Sequence, residues 1–213
     1  LFGLSATAAT TSSLIVVGIS ALTGAIMRRN SGINIKLGIQ FSLIGMLGTF
    51  LGTYLVKLFP DSAIYLLFAG LMVVSAVTTW RKKPASESDA TKHHPFVIFL
   101  VASGVGVLTG LLGIGGGFLI VPALILFLKV PATIAVGTSL IAITTNTLLA
   151  LLMRFDHWDE IPLQETLTVA LGGAVMAIVI TPFAKKLPAV VVQKSFAVLL
   201  LVLSSYLVWQ ALS

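Results

Sequence analysis

The sequence predicts an all-α protein: a polytopic transmembrane helix bundle made of two homologous repeats of four crossings each. The first crossing of repeat 1 is missing from this chain, and repeat 2 holds a helix broken by glycine. Three observations carry this. Hydrophobic residues make up 57% of the 213 residues and charged ones 9%, with a mean hydropathy of +1.08; a soluble domain is nearer a quarter charged. The apolar residues fall in runs of about twenty, the length a helix needs to cross roughly 30 Å of hydrocarbon. The runs also recur in order, so that one block copies the other.

Seven crossings are expected. Residues Ala6–Met27, Leu37–Val56 and Ser62–Trp80 are apolar runs closed by RRNSGINIK at 28–36, FPDS at 59–62 and RKKPASESDATKHHP at 81–95. Glycine, proline and basic residues are what end membrane helices. Phe96–Leu128 is the fourth run. Ala132–Met153, Leu163–Ala184 and Val190–Leu212 follow, separated by RFDHWDEIP at 154–162 and KKLP at 185–188. Only 81–95 is a long polar linker. It divides a first repeat at 1–80, truncated at its N-terminus, from a second at 96–213.

Laying 6–37 on 132–163 without a gap matches Ala6 with Ala132, Ser13 with Ser139, Leu22 with Leu148, Met27 with Met153 and Arg28 with Arg154. After small insertions Pro60 falls on Pro188 and Trp80 on Trp209. Chance apolar similarity would not match Met-Arg, Ser and Trp in register. The first block then lacks a counterpart of Phe96–Leu126. Repeat architecture therefore leads us to expect about thirty further residues upstream, with their own glycine cluster.

The formal charge of +6 does not imply nucleic acid as a partner, because Lys and Arg lie at the ends of apolar runs rather than on a basic surface. The lipid bilayer is the partner this pattern implies. If every run crosses once, Arg28, Arg29, Lys36, Arg81–Lys83, Lys92 and Arg154 gather on one side. The positive-inside rule makes loops 28–36, 81–95 and 154–162 cytoplasmic, as in a bacterial inner-membrane protein. No cysteine is present, which removes disulfides, thiol nucleophiles and Cys-based zinc sites.

Thirty-three helical residues at 96–128 would reach about 50 Å, too long for one straight crossing. The break belongs at GIGGGFLIVP, where Gly113, Gly115, Gly116, Gly117 and Pro122 cluster. Unpaired backbone groups survive at membrane depth only within protein or beside a water-filled cavity. Helix resuming after the glycines presents free N–H groups and a positive dipole end, a setting for a small anion. Gly104, Gly106 and Gly110 read instead as helix-packing positions.

A polar stripe points the same way. Thr138, Ser139 and Asn146 lie on the helix after the break, with Ser139 and Asn146 two turns apart on one face. Ser12, Ser13 and Ser20 are their first-repeat counterparts. The competing reading has Ser and Thr bonding back to their own helix and Asn146 joining two helices. No Asp, Glu, Lys, Arg or His lies mid-span, so no proton relay or metal cage is expected. No catalytic residue, metal site or cofactor is expected, and serines without a nearby mid-span base make an intramembrane enzyme the weaker class. A scaffold that transports nothing is a third class, with its glycines fully packed.

GIGGGFLIVPAL, a short loop, ATIAVGTSLIAI, a basic turn and a Gly-rich helix, all in duplicate, resemble the TauE/SafE family of sulfite and organosulfonate exporters, grouped with toluene-sulfonate uptake permeases. The resemblance spans essentially the whole chain, with SATAATTSSLIVV as the first-repeat counterpart. It implies an eight-crossing secondary transporter of sulfite or sulfonate, working by alternating access. It also implies coupling to H+ or Na+, and a homo-oligomer is compatible with it. The backbone argument alone supports only a small anion, and another anion or a carboxylate in the same fold is the alternative.

Overall fold

The computed structural model describes residues 6–29, 32–55, 58, 60–81, 94–112, 117–153 and 161–212. These form eight helices, and no strand occurs among the described residues: α1 (Ala6–Arg28), α2 (Ile35–Leu55), α3 (Asp61–Arg81), α4 (Pro95–Leu112), α5 (Gly117–Leu126), α6 (Ala132–Leu152), α7 (Leu163–Lys185) and α8 (Ala189–Leu212). Six of them, all but α4 and α5, are long and apolar enough to cross a membrane. Each lies within two residues of an expected run. The fourth run holds two helices, α4 described to Leu112 and α5 from Gly117, with residues 113–116 outside the described residues.

Proline explains why the starts are so sharp. Pro60, Pro131, Pro162 and Pro188 immediately precede α3, α6, α7 and α8, and Pro95 opens α4. A missing N–H costs nothing at a position where it would be unpaired anyway, and the fixed φ suits the first turn. The carbonyls of Pro60, Pro131 and Pro188 each accept the first helical N–H bonds. Helix α2 starts without proline: Asn34 Oδ1 accepts the Leu37 N–H at 3.0 Å, a side-chain N-cap.

The chain packs as two compact units, Leu1–Ser42 with Gly137–Lys186 and Leu43–Val136 with Leu187–Ser213. In the first, α1 packs along α7. It also meets α6, where Gly18 faces Thr147 and Gly24 faces Leu140. As the numbers rise along α1 they fall along α6, so these helices are antiparallel. The start of α2 meets α6 the other way round. The Asn34 N–H donates to Thr138, Gly38 abuts Ile141, and Ser42 reaches Asn146; α2 and α6 are parallel. Most of α7 faces outward: Leu171, Val175, Ile178 and Val179 are all exposed. That is expected of a helix whose outer surface meets acyl chains rather than water.

In the second unit α3 and α8 make the main helix pair. Their buried faces run Ile64, Phe68, Met72, Ala76, Thr79 on α3 and Gln193, Ala197, Leu200, Ser204, Leu207 on α8, at steps of three and four. The end of α3 meets the start of α8, so this pair is antiparallel. There the Gln193 side-chain amide donates to the Thr79 carbonyl. That carbonyl belongs to the last turn of α3, which has no intrahelical donor of its own. The Lys194 ammonium lies 5.4 Å over the ring of Trp80, which anchors the same corner. Trp80 and Trp209 are half or more exposed at helix ends, as interfacial tryptophans are.

Helix α2 meets α4 backbone to backbone. Gly45, Gly48 and Gly52 face Ala102, Ser103, Gly106, Val107 and Gly110, with both sets of numbers rising together, so the helices are parallel. This is the small-residue packing that lets membrane helices approach closely. The packing reading therefore fits Gly106 and Gly110. It does not fit Gly104, where an added Cβ would meet nothing within 4 Å.

Candidate functional site

Among the described residues, α5 differs from the other helices. Residues 119–124 are consecutive and all buried, so it is covered on every face rather than along one stripe. It packs against α3 and α4. Pro122 is inside it and almost completely buried. Proline removes an N–H and an i−4 bond, which at membrane depth is tolerated where protein surrounds the helix. At the C-terminal end Lys129 takes a left-handed φ of 44°, and the Val130 N–H reaches back to the Leu124 carbonyl at 3.0 Å. That closes the helix on the way into α6.

Of the expected glycine cluster, Gly117 is the first residue of α5; Gly113, Gly115 and Gly116 lie outside the described residues. The helix at Gly117 begins within a stretch of chain that is apolar on both sides.

The polar stripe on α6 is built mostly into helix contacts. Thr138 is fully buried, and its Oγ1 accepts the Asn34 N–H at 3.2 Å. Ser139 is 2% exposed. Asn146 is half-buried, and its Oδ1 accepts the Ser42 hydroxyl at 2.5 Å. Thr144, Thr145 and Thr147 donate to carbonyls of their own helix, those of Leu140, Ile141 and Ile143, at 2.8–2.9 Å. For these threonines the back-bonding alternative describes what is seen.

The first-repeat counterparts are not placed alike. Ser13 is exposed and donates to the Thr10 carbonyl at 2.7 Å, whereas its aligned partner Ser139 is buried. Ser20 is half-buried against Gly173 on α7. Ser12 keeps its hydroxyl oxygen shielded with no hydrogen-bond partner among the described residues. Thus Ser20, Thr138 and Asn146 lie in helix contacts of one unit, Ser12 has a shielded hydroxyl in that unit, and Ser13 faces outward. Gly117 and Pro122 belong to the other unit.

Three polar residues that matter here escape the sequence patterns. Ser42, 1% exposed, is a lone hydroxyl in an apolar run. Gln193, 4% exposed, is a lone amide in VVVQKSF. Asn34 is an ordinary loop residue until its cap is seen. The signal available for Ser42 and Gln193 was their isolation: a single polar group in a membrane helix needs a partner on another helix.

The model of the family described as sulfite exporter TauE/SafE matches residues 1–207. The chain belongs to the TauE/SafE family. It is also similar to a probable membrane transporter protein of Xylella fastidiosa strain Temecula1. There the identity is 31% over 179 residues, covering 80% of this chain and 67% of that protein. The counterpart in strain 9a5c matches equally. The probable membrane transporter protein YunE of Bacillus subtilis strain 168 is 28% identical over 134 residues, 54% of this chain and 49% of its own length. No solved structure matches. With six candidate spans, this TauE/SafE chain is an integral membrane protein of a transporter family.

Proposed function

We propose that this TauE/SafE chain is part of a secondary transporter that exports small anions, sulfite or organosulfonate, by alternating access around its interrupted helices. The observation that carries the reading is the interruption itself. An apolar stretch long enough for one over-length helix holds two helices, and the second, α5, is buried at every residue from 119 to 124. A helix N-terminus at depth offers N–H donors and partial positive charge with no full cation. It binds an anion without the strong Coulombic hold that would stop release. Gly113, Gly115, Gly116 and Gly117 would supply main-chain donors, and Pro122 would fix the helix that presents them.

The hydroxyl and amide groups of Ser12, Ser20, Thr138, Ser139 and Asn146, with Ser13, would offer an anion polar contacts within their own unit. Sulfur oxyanions come from the family's description. The backbone chemistry alone would serve another small anion or a carboxylate equally well. Coupling to H+ or Na+ and assembly into a homo-oligomer belong to the same proposal, as does a bacterial inner-membrane location.

Counterflow in proteoliposomes tests it. The full-length protein, loaded with sulfite inside and offered labelled sulfite, taurine or acetate outside, should exchange the sulfur anions and not acetate. Exchange of acetate alone would move the substrate class. No exchange of any anion in a broad panel would remove the transport reading.

A further inference from the structure

We propose that the two repeats are inverted copies: the chain between α3 and α6 enters and leaves the bilayer on one face, and the pseudo-twofold lies at the α1·α6 crossing beside Ser20 and Asn146. The argument is one of parity. Aligned helices of a duplicated membrane protein run the same way if an even number of crossings separates the repeats' starts, and opposite ways if that number is odd. Were α4 and α5 a single kinked crossing, α1 would run with α6, and α3 with α8.

Both pairs run opposite. In the first unit, Gly18 faces Thr147 and Gly24 faces Leu140. In the second, Thr79 and Trp80 at the end of α3 meet Gln193 and Lys194 at the start of α8. Two separately packed groups of helices thus give the same answer. With α6 and α7 each crossing once, only a return of the chain between α3 and α6 satisfies it. Helix α4, at 18 residues, is about 27 Å long, and α5, at 10 residues, about 15 Å. So α5 carries the chain back over about half the length of α4 before the turn at 127–131 leads into α6.

The charge pattern, which played no part in that argument, agrees. When every run crosses once, the thirteen basic residues divide eight to five. With the return at α4–α5, loops 28–36, 81–95, 127–131 and 185–188, together with Lys194, hold eleven of them, and the opposite face keeps Lys57 and Arg154. That opposite face also collects Asp61, Asp156, Asp159, Glu160 and Glu165, five of the seven acids. One face carries net +9 and the other −3. The positive-inside rule is obeyed far more sharply by this topology, and loop 154–162 moves from the cytoplasmic to the outer face.

The same contacts locate the axis. Under the alignment of Ala6 with Ala132, Thr147 corresponds to position 21 and Leu140 to position 14. The midpoint of 18 and 21, and that of 24 and 14, both fall at 19–20. The crossing is therefore beside Ser20 on α1 and its copy Asn146 on α6, near the middle of both helices. In inverted-repeat carriers, substrate sites lie at mid-depth on the repeat interface. The assignment of topology stands without the transport reading; only the meaning of Ser20 and Asn146 rests on it.

The chain has no cysteine, so single thiols report directly. The variants Lys36→Cys, Lys129→Cys, Leu187→Cys and His157→Cys of the full-length protein are treated in sealed vesicles of known orientation with a membrane-impermeant maleimide. Labelling after detergent lysis confirms that each thiol is reactive. Lys36→Cys, Lys129→Cys and Leu187→Cys should label from one face and His157→Cys from the other. Labelling of His157→Cys together with Lys36→Cys, and of the other two from the opposite face, would overturn the inversion. Failure of anion exchange would leave this result untouched, so the two proposals fail separately.

Discussion

Replacing Gly106 by alanine adds one methyl group where the structure has no room for it. An added Cβ there would run into the Gly45 carbonyl on α2, well inside the 3.0 Å that real Cβ atoms respect. Its nearest neighbours are all backbone, so no side chain can swing aside; the helices themselves must separate. Overpacking of this kind costs about 1–3 kcal/mol. Moving the helices apart by 0.5–1 Å also forfeits about a quarter to a half of the dispersion well at each separated contact.

Gly104 supplies the matched control. It lies two residues away on the same helix, on a face where an added Cβ meets nothing within 4 Å. There Gly→Ala should gain about 0.8–1 kcal/mol from helix propensity. That gain is common to both variants, so they should differ by the overpacking cost, about 2 kcal/mol, roughly thirtyfold in the folding equilibrium. Reversible unfolding of the purified protein in mixed micelles, followed by tryptophan fluorescence, measures the gap. If Gly106→Ala matches Gly104→Ala within about 0.5 kcal/mol, the size expected of an ordinary surface change, the backbone contact between α2 and α4 does not exist as described.

The Ser42 hydroxyl to Asn146 bond should show a coupling of about 0.6 kcal/mol, and at most about 1.7, in a double-mutant cycle with Ser42→Ala and Asn146→Ala. Additivity within error would mean the two side chains do not meet. Gln193→Leu should cost about 1–3 kcal/mol, since the Thr79 carbonyl at the end of α3 loses its donor in buried surroundings. A Leu variant as stable as the parent in the same unfolding assay would dismiss the capping role.

How much of this was legible from sequence depends on which physical signal each feature leaves. The long crossings were readable because proline or a cap starts a helix at a definite residue and about twenty apolar residues are needed to span. That the fourth run holds more than one helix was readable from length alone, while the glycines at 113–116 lie outside the described residues. Helix direction was not. Run length counts crossings but is blind to whether the chain turns back at depth, and GIGGG serves either course. The polar stripe was half readable. Spacing put Ser139 and Asn146 on one face, but alignment also paired Ser13 with Ser139, and only the latter is buried. A shared residue type does not ensure a shared environment when the two copies pack against different helices. Ser42 and Gln193 were missed because a lone polar residue has no periodicity to reveal it.

Inversion also accounts for a mismatch between the two copies. Arg28 and Arg154 are aligned, and each follows a methionine, yet the stretches after them have diverged in charge. Residues 28–36 carry two arginines, a lysine and no acid; residues 154–162 carry one arginine against Asp156, Asp159 and Glu160. If both loops faced the cytoplasm, the same topogenic signal would favour similar charge in each, and nothing would drive this difference. If they face opposite sides, each must carry the opposite bias, and the loops diverge while the helices keep their common residues. Glu160 aligns with Asn34, whose side chain caps α2, whereas the N-cap of α7 is Pro162. The resulting field has a direction. A basic face concentrates anions and an acidic face repels them, so under the proposed function a small anion would meet the protein preferentially at the face that holds loops 28–36 and 81–95. That is the loading side an exporter needs, and the preference should weaken as salt screens it.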